Sequence, residues 1–283
     1  MKKLLVLPFI FLAACQGAND MTTATSAPAA KSNQSLKTIV GGSDVDTASP
    51  VARIVLSHRT MIDESMGEGD FYDEGVRMAQ CSAAALTRNL VLTAAHCVRE
   101  NMASTIEFVD ADGTAMSIEV KSATIIEDYQ TDKTADLAIL TLKTSLPGFV
   151  QTITLPDATS DIDLQKTGII AAGYGYNVDV KPFKGTGTLR SVKAKVEQYS
   201  IDSNYFIVDQ TDGTGICQGD SGGPGLVEFD GKMYAIGVAA KTMYMPVEGA
   251  EAQHTCNFKG VYVNLLKFKP WIEKTVLALQ QGN

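Results

Sequence analysis

Short apolar runs separated by turn residues recur from Ile39 onward: VARIVLS, NLVLTAA, STIEFVDADGTAMSIEV, LAILTL, TGIIAAGYG, YFIVDQ, GKMYAIGVAA and KGVYVNLL. Many are rich in Val, Ile, Thr and Tyr, and several alternate apolar with polar positions, which predicts β-strands; DADGT between two of them predicts a hairpin turn. A period near 3.6 occurs at the end of the chain, in FKPWIEKTVLALQ, where Trp271, Ile272, Val276 and Leu279 share one helical face and Pro270 stands near the start. The pattern predicts an all-β body closed by a C-terminal α-helix. The acidic, glycine-containing segment from Met61 to Gln80 reads as a long surface loop between strands.

The first 38 residues follow a different pattern. Lys2 and Lys3 precede an apolar run from Leu4 to Ala14 that is too short to span a bilayer and suits a signal peptide over residues 1–14, so an exported protein is expected. Leu12-Ala13-Ala14-Cys15 resembles the bacterial lipobox, in which the cysteine is diacylated on sulfur and becomes the mature N-terminus; two or three acyl chains hold a protein stably on a membrane. The other reading is an ordinary signal peptide cut after an alanine, which leaves Cys15 as an odd thiol. Residues 15–38 carry only Met21 and Leu36 as sizeable apolar groups and read as a flexible tether or propeptide, ahead of a folded domain over 39–283.

With 283 residues and 45% apolar content, the chain can hold one large domain or two packed barrels. Its net charge is -8; residues 1–38 hold four Lys and one Asp (+3), which leaves -11 for the remainder, a surface that repels phosphate backbones and argues against nucleic-acid partners. Three scattered histidines and the absence of a CxxC pair predict no zinc site, and no cofactor is expected.

Three stretches carry candidate chemistry. CSAAALTRNLVLTAAHCV sets His96 beside Cys97, and in an exported protein Cys81 and Cys97 can oxidise and fix the backbone at the histidine. TADLAIL places Asp136 at the head of an apolar strand. CQGDSGGPG surrounds Ser221 with glycines, which lets the amides of Gly219 and Ser221 point into a small concavity, where they would stabilise an oxyanion. A serine hydroxyl is a weak nucleophile until a base stands within hydrogen-bond reach and a carboxylate orients that base.

Taken together, IVGG, LTAAHC, DLAIL, GDSGGP and GVYVNLLKFKPWI stand in the order and at spacing similar to those of the chymotrypsin (trypsin-like) serine protease family, and the resemblance runs from Ile39 to about residue 279. It implies two six-stranded antiparallel β-barrels with a catalytic cleft between them. It also implies that Ser221 is the nucleophile, His96 the general base, Asp136 its orienting carboxylate, and Gly219 with Ser221 the oxyanion hole. The implied disulfides are Cys81–Cys97 and Cys217–Cys256. The family is made as a zymogen, and its activation implies that cleavage frees the Ile39 amine to pair with Asp220. An activating protease and protein or peptide substrates are then the expected partners, with membrane attachment through Cys15 before activation. Thr38 stands where the family usually has Arg or Lys, so cleavage after Thr38, or trimming of it, is required.

Departures from the family pattern bear on specificity. The position that holds an aspartate in trypsins is Gly215, followed by Ile216, and the facing wall residue is Gly260, so the primary pocket is expected to be uncharged and to favour small or medium apolar residues. Asp212 and Lys259 lie near enough in sequence to alter this. Along AIGVAAKT the substrate-facing positions become Ala240, Lys241 and Thr242; Ala240 is expected to cost Asp136 a hydrogen bond. Gly225 is an extra or substituted residue after the serine. Two other readings compete. Gly219 to Gly223 also fits G-x-S-x-G, the nucleophile elbow of α/β-hydrolases, with Asp230 and His254 following in that order, but that needs a strand-turn-helix context. A weakly active or inert binding protein on a protease scaffold is the other, while His58 and His254 read as loop or surface residues.

Overall fold

The computed structural model describes residues 43–44, 51–58, 70–73, 76–99, 103–109, 114–157, 162–176, 188–243, 256 and 258–282. Ile39, Cys15, His254 and the hairpin turn at 110–113 lie outside them. In chain order the strands are β1 (Ser43–Asp44), β2 (Val51–His58), β3 (Asp70–Asp73), β4 (Val76–Ala85), β5 (Leu90–Thr93), β6 (Ala103–Val109), β7 (Ala115–Ile125) and β8 (Ala138–Leu142). There follow a short helix α1 (Leu164–Thr167), β9 (Ile169–Gly173), β10 (Arg190–Gln198), β11 (Tyr205–Asp209), β12 (Pro224–Phe229), β13 (Lys232–Met243), β14 (Lys259–Asn264) and α2 (Leu265–Gln281).

Every strand pair is antiparallel, and the pairings close twice. The sheet β2-β6-β7-β8-β5-β4 returns from β4 to β2, with β3 added on β4. The sheet β10-β11-β14-β13-β12-β9 returns from β9 to β10, with β1 added on β10. These are the two six-stranded barrels and the C-terminal helix that the resemblance implies. Closure removes the exposed edges that isolated sheets must protect. No strand-turn-helix follows Ser221, which leads instead into β12, so the α/β-hydrolase reading falls.

Buried positions show why the sequence takes this form. In β10, Ala194 and Val196 are buried while Lys193, Lys195 and Glu197 are exposed, the period of two expected of a strand with one face on a core. β5 and β8 are buried at every position and read as continuous apolar runs, because one core joins them to Leu265, Phe268 and Ile272 of α2 and to Val238 and Val263 of the second barrel. A second core gathers Ile169, Val196, Phe206, Val208 and Tyr262, with the Phe206 and Tyr262 rings stacked at 5.4 Å. Each fully buried Leu, Ile or Phe contributes about 1.5–3 kcal/mol over leaving it in water. The hairpin β12–β13 turns on Asp230 and Gly231, whose φ of 49° and 70° give the left-handed pair that a two-residue loop requires.

α2 starts on Asn264, whose Oδ1 accepts the Leu266 N–H at 3.2 Å while its Nδ2 donates to the carbonyls of Ser200, Ile201 and Ser203. One side chain thus caps the helix and ties it to the β10–β11 turn. Trp271, Val276 and Leu279 pack on the first core, as the periodicity predicts.

Two expectations need correction. Met61–Gln80 is not a loop throughout: β3 and the start of β4 lie within it, because residues 77–80 pair with residues 55–58 of β2 and Val76 pairs with Asp73 of β3, partners that local composition does not reveal. His58 is correspondingly the last residue of β2 rather than a loop residue. Both disulfides are formed, Cys81–Cys97 across a separation of 16 residues and Cys217–Cys256 across 39. Restriction of the unfolded chain by loops of these lengths corresponds to roughly 3 and 4 kcal/mol.

Candidate active site

His96 lies in a 3-10 turn, Ala95–Cys97, that follows β5, and the Cys81–Cys97 bridge fastens this turn to β4. Asp136 lies two residues before β8, which pairs with β5 in register Thr93↔Ala138, so the ladder of the first barrel delivers the histidine and the carboxylate to the same end. Asp136 Oδ2 lies 2.6 Å from His96 Nδ1, and Oδ1 accepts the His96 backbone N–H at 2.9 Å. Held at two points, the ring turns its Nε2 edge away from the aspartate. The carboxylate is nearly closed to solvent, its side chain 8% exposed, whereas the imidazole is 35% exposed. The phenol of Tyr129 is pushed up by burial and then by the nearby Asp136 charge.

Ser221 comes from the second barrel, at the end of the loop that leads into β12. The loop is clamped by β4 of the first barrel: Ser82 N–H donates to Ser221 O at 2.7 Å, and Ser82 Oγ donates to Gly219 O at 3.0 Å while accepting Tyr174 N–H at 3.0 Å. Gly222 has φ +84°, and a Cβ on it would lie 2.1 Å from Thr93 Oγ1 and 2.2 Å from Ser82 O, so the barrels close on this loop only because no side chain is present there. Among the described residues the amides of Gly219 and Ser221 have no acceptor, which leaves two adjacent N–H donors for a negative oxygen.

Asp220 is fully buried between these elements, its Oδ1 accepting Gly175 N–H at 2.7 Å and its Oδ2 accepting Cys217 N–H at 2.8 Å. Burial raises its pKa from 3.8 to about 7, against the lowering effect of those two amides. Among the described residues no cation pairs with it. The buried Tyr262 hydroxyl has no hydrogen-bond partner among the described residues, and its pKa is pushed up by burial and then by the Asp220 charge.

The cleft beside His96 has a volume of about 520 Å³ and is walled by Asp136, Tyr129, Ala240, Lys241 and Val261. Across β13 and β14, Lys241 stands opposite Val261 and Thr242 opposite Gly260. Ala240 offers no hydroxyl, and among the described residues the hydrogen bonds to Asp136 come from His96. Gly225 packs tightly in β12: a Cβ there would lie 3.1 Å from the Tyr262 ring and from Ile169 Cδ1, so those side chains would have to give by a few tenths of an ångström. Cys81, His96 and Cys97 are the one grouping of potential metal ligands among the described residues, and the bond between the two sulfurs leaves no thiolate to bind an ion.

The trypsin family, matched over residues 61–272, covers every strand from β3 to β14 and all of the site residues just described. The chain belongs to the trypsin family. Among its relatives, transmembrane protease serine 7 of Mus musculus is 27% identical over 231 residues, 72% of this chain and 26% of that protein. CLIP domain-containing serine protease B15 of Anopheles gambiae is 26% identical over 257 residues, 75% of this chain and 65% of that protein. Vitamin K-dependent protein C of Mus musculus is 24% identical over 257 residues, 82% of this chain and 53% of that protein. This trypsin-family chain therefore spans between about a quarter and two thirds of the length of these animal relatives. No helix among the described residues of the trypsin-family domain is long and apolar enough to cross a membrane.

Sequence motifs single out His96, Asp136, Ser221, Gly219 and Asp220; the structure pairs His96 with Asp136 and sets Cys97, the residue next to His96, with its Sγ 3.6 Å from Ser221 O. Ser82 and Gln210 escape such reading. Ser82 stands within the CSAAAL stretch and Gln210 ends YFIVDQ, but neither is marked out there, because each acts through a contact far away in the chain or fixed by loop geometry.

Proposed function

We propose that the chain is a serine endopeptidase made as a zymogen. Ser221 Oγ attacks the scissile carbonyl carbon as His96 Nε2 takes its proton. The carbonyl oxygen gains the negative charge and is held by the N–H groups of Gly219 and Ser221, each such donor contributing roughly 3–4 kcal/mol. His96 then passes the proton to the departing amine, and water, activated by the same imidazole, releases the acyl group from Ser221. Asp136 keeps Nδ1 as the donor and stabilises the imidazolium. The observation that carries this reading is the two-point hold of His96 by Asp136, with the neighbouring Cys97 Sγ 3.6 Å from Ser221 O and the amides of Gly219 and Ser221 without an acceptor among the described residues.

The residue before the scissile bond is small or medium and apolar. In the active form the Ile39 amine pairs with Asp220, a carboxylate whose burial without a cation is costly enough to raise its pKa to about 7. Treatment with a fluorophosphonate after cleavage at Thr38–Ile39 tests the whole reading: a single label on Ser221 is expected, and an unlabelled Ser221 in the processed protein would sink it in favour of an inert binding scaffold.

Acylated Cys15 holds the precursor on a membrane, and the same cleavage releases the domain. Fractionation before and after processing should move the domain from the membrane pellet to the soluble fraction; retention on the membrane would reject the lipid-tether part of the proposal.

A further inference from the structure

We propose that Gln210, the residue just beyond β11, forms the floor of the primary substrate pocket and restricts the residue before the scissile bond to side chains of about alanine or serine size. This rests on the serine-protease reading above and gives its specificity a cause that neither Gly215 nor Gly260 supplies alone.

The Gln210 side chain is fully buried. Its Oε1 accepts Ile216 N–H at 3.1 Å; its Nε2 donates to Ile216 O at 3.0 Å and to Cys256 O. The amide is therefore pinned to the residue before Cys217 and to Cys256, the two sides of the disulfide that braces this loop. It fills the room that two glycines leave. A Cβ on Gly215 would lie 2.3 Å from Gln210 Cδ, and a Cβ on Gly260 would lie 2.3 Å from Gln210 Oε1 and 3.1 Å from Ile216 Cγ1. The two positions that the family resemblance assigns to the pocket, Gly215 and the facing wall residue Gly260, are bare, and one glutamine from a different strand end occupies the space between them.

The chemistry of that floor follows from its bonds. Both Nε2 hydrogens are committed, and the one oxygen already accepts a bond, so no charge and no free donor is offered. An ammonium or guanidinium entering there would lose its water for a single remaining lone pair, and a carboxylate would meet no donor. A leucine or phenylalanine side chain would run into Gln210 Cδ. The nearby charges do not alter this. The Asp212 carboxylate is exposed and accepts from Thr214 N and Oγ1, and Lys259 Nζ pairs with Glu197 at 2.8 Å.

The test compares the full chain and its Gln210→Ala variant, both after proteolytic activation, on peptides that differ only in alanine, leucine or phenylalanine before the scissile bond, with active enzyme counted by fluorophosphonate labelling. The expected result is that wild type prefers alanine and that the variant shifts the leucine-to-alanine ratio of kcat/KM by about tenfold to a hundredfold toward leucine, the range that one or two methylenes command in an apolar pocket. An equal fall on all three peptides would make Gln210 a brace for the disulfide loop and overturn the proposal, as would an unchanged ratio. If Gln210→Ala does not fold, Gln210→Asn keeps the amide one methylene shorter and is expected to admit valine; no gain on valine overturns the proposal. Wild type that neither takes the label nor cleaves any peptide refutes the protease reading itself, an outcome distinct from an active enzyme with the wrong preference.

Discussion

Ser221→Ala and His96→Ala are each expected to lower kcat on a peptide substrate by about a millionfold, and the double variant by no more than either alone, because nucleophile and base act as one unit. Asp136→Asn should cost less, about ten-thousandfold, because the charge is lost and the tautomer of His96 is reversed while the imidazole stays in place. The geometry makes the last case sharp. Asp136 accepts from His96 twice, through Oδ1 and Oδ2, and an amide can accept at only one of those two atoms. Single-turnover kinetics at matched concentrations of folded, cleaved protein measures every one of these variants. A loss under tenfold in Ser221→Ala or His96→Ala would remove these residues from the chemistry.

The second large effect is expected at Asp220. Asp220→Ala should fold and, after cleavage at Ile39, retain no more than about a thousandth of the wild-type kcat/KM, roughly the effect of removing one oxyanion donor. The loop from Cys217 to Ser221 is positioned through this carboxylate, which accepts Gly175 N–H and Cys217 N–H and is the expected partner of the new amine. Near-normal activity would refute the activation mechanism. Stability carries an independent signature. A carboxyl whose pKa rises on folding from 3.8 to about 7 binds more protons in the folded state between those values. Its contribution is full below about pH 4 and is lost as pH rises through 7, on the order of 4 kcal/mol across the window. The urea midpoint of the uncleaved chain should therefore fall between pH 4 and pH 7, and that component should vanish in Asp220→Ala. After cleavage an ammonium beside Asp220 favours the ionised form, so the same component should shrink in the wild type as well.

Much of the fold and site was legible because the informative contacts are local. His96 sits next to a bridged cysteine, Asp136 heads a strand, and Ser221 lies inside a run of glycines; each motif announces its own backbone. What stayed hidden depends on register between distant strands. β4 begins inside an acidic stretch because β2, some twenty residues earlier, supplies its partner, and composition alone favours a loop there. β10, RSVKAKVEQ, buries alternate residues, yet its charged positions mask the pattern when apolar runs are sought. Gln210 is one polar residue at the end of a strand, and its role exists only because β11 pairs with β14 in the register Val208↔Gly260, which carries it between two glycines. Ser82 is likewise an ordinary serine in a strand until the second barrel docks on it.

β1 sets the geometry of activation. Ser43 and Asp44 pair with Ser191 and Arg190, so the chain four residues beyond Ile39 is already stitched to the second barrel. A terminus created at Ile39 can stray only about 14 Å from that stitch, at roughly 3.5 Å per extended residue. The ammonium would thus meet Asp220 at an effective concentration in the millimolar range or above, as a short tether provides. Once the bond is cut, the switch would be a first-order event whose rate does not depend on how much protein is present.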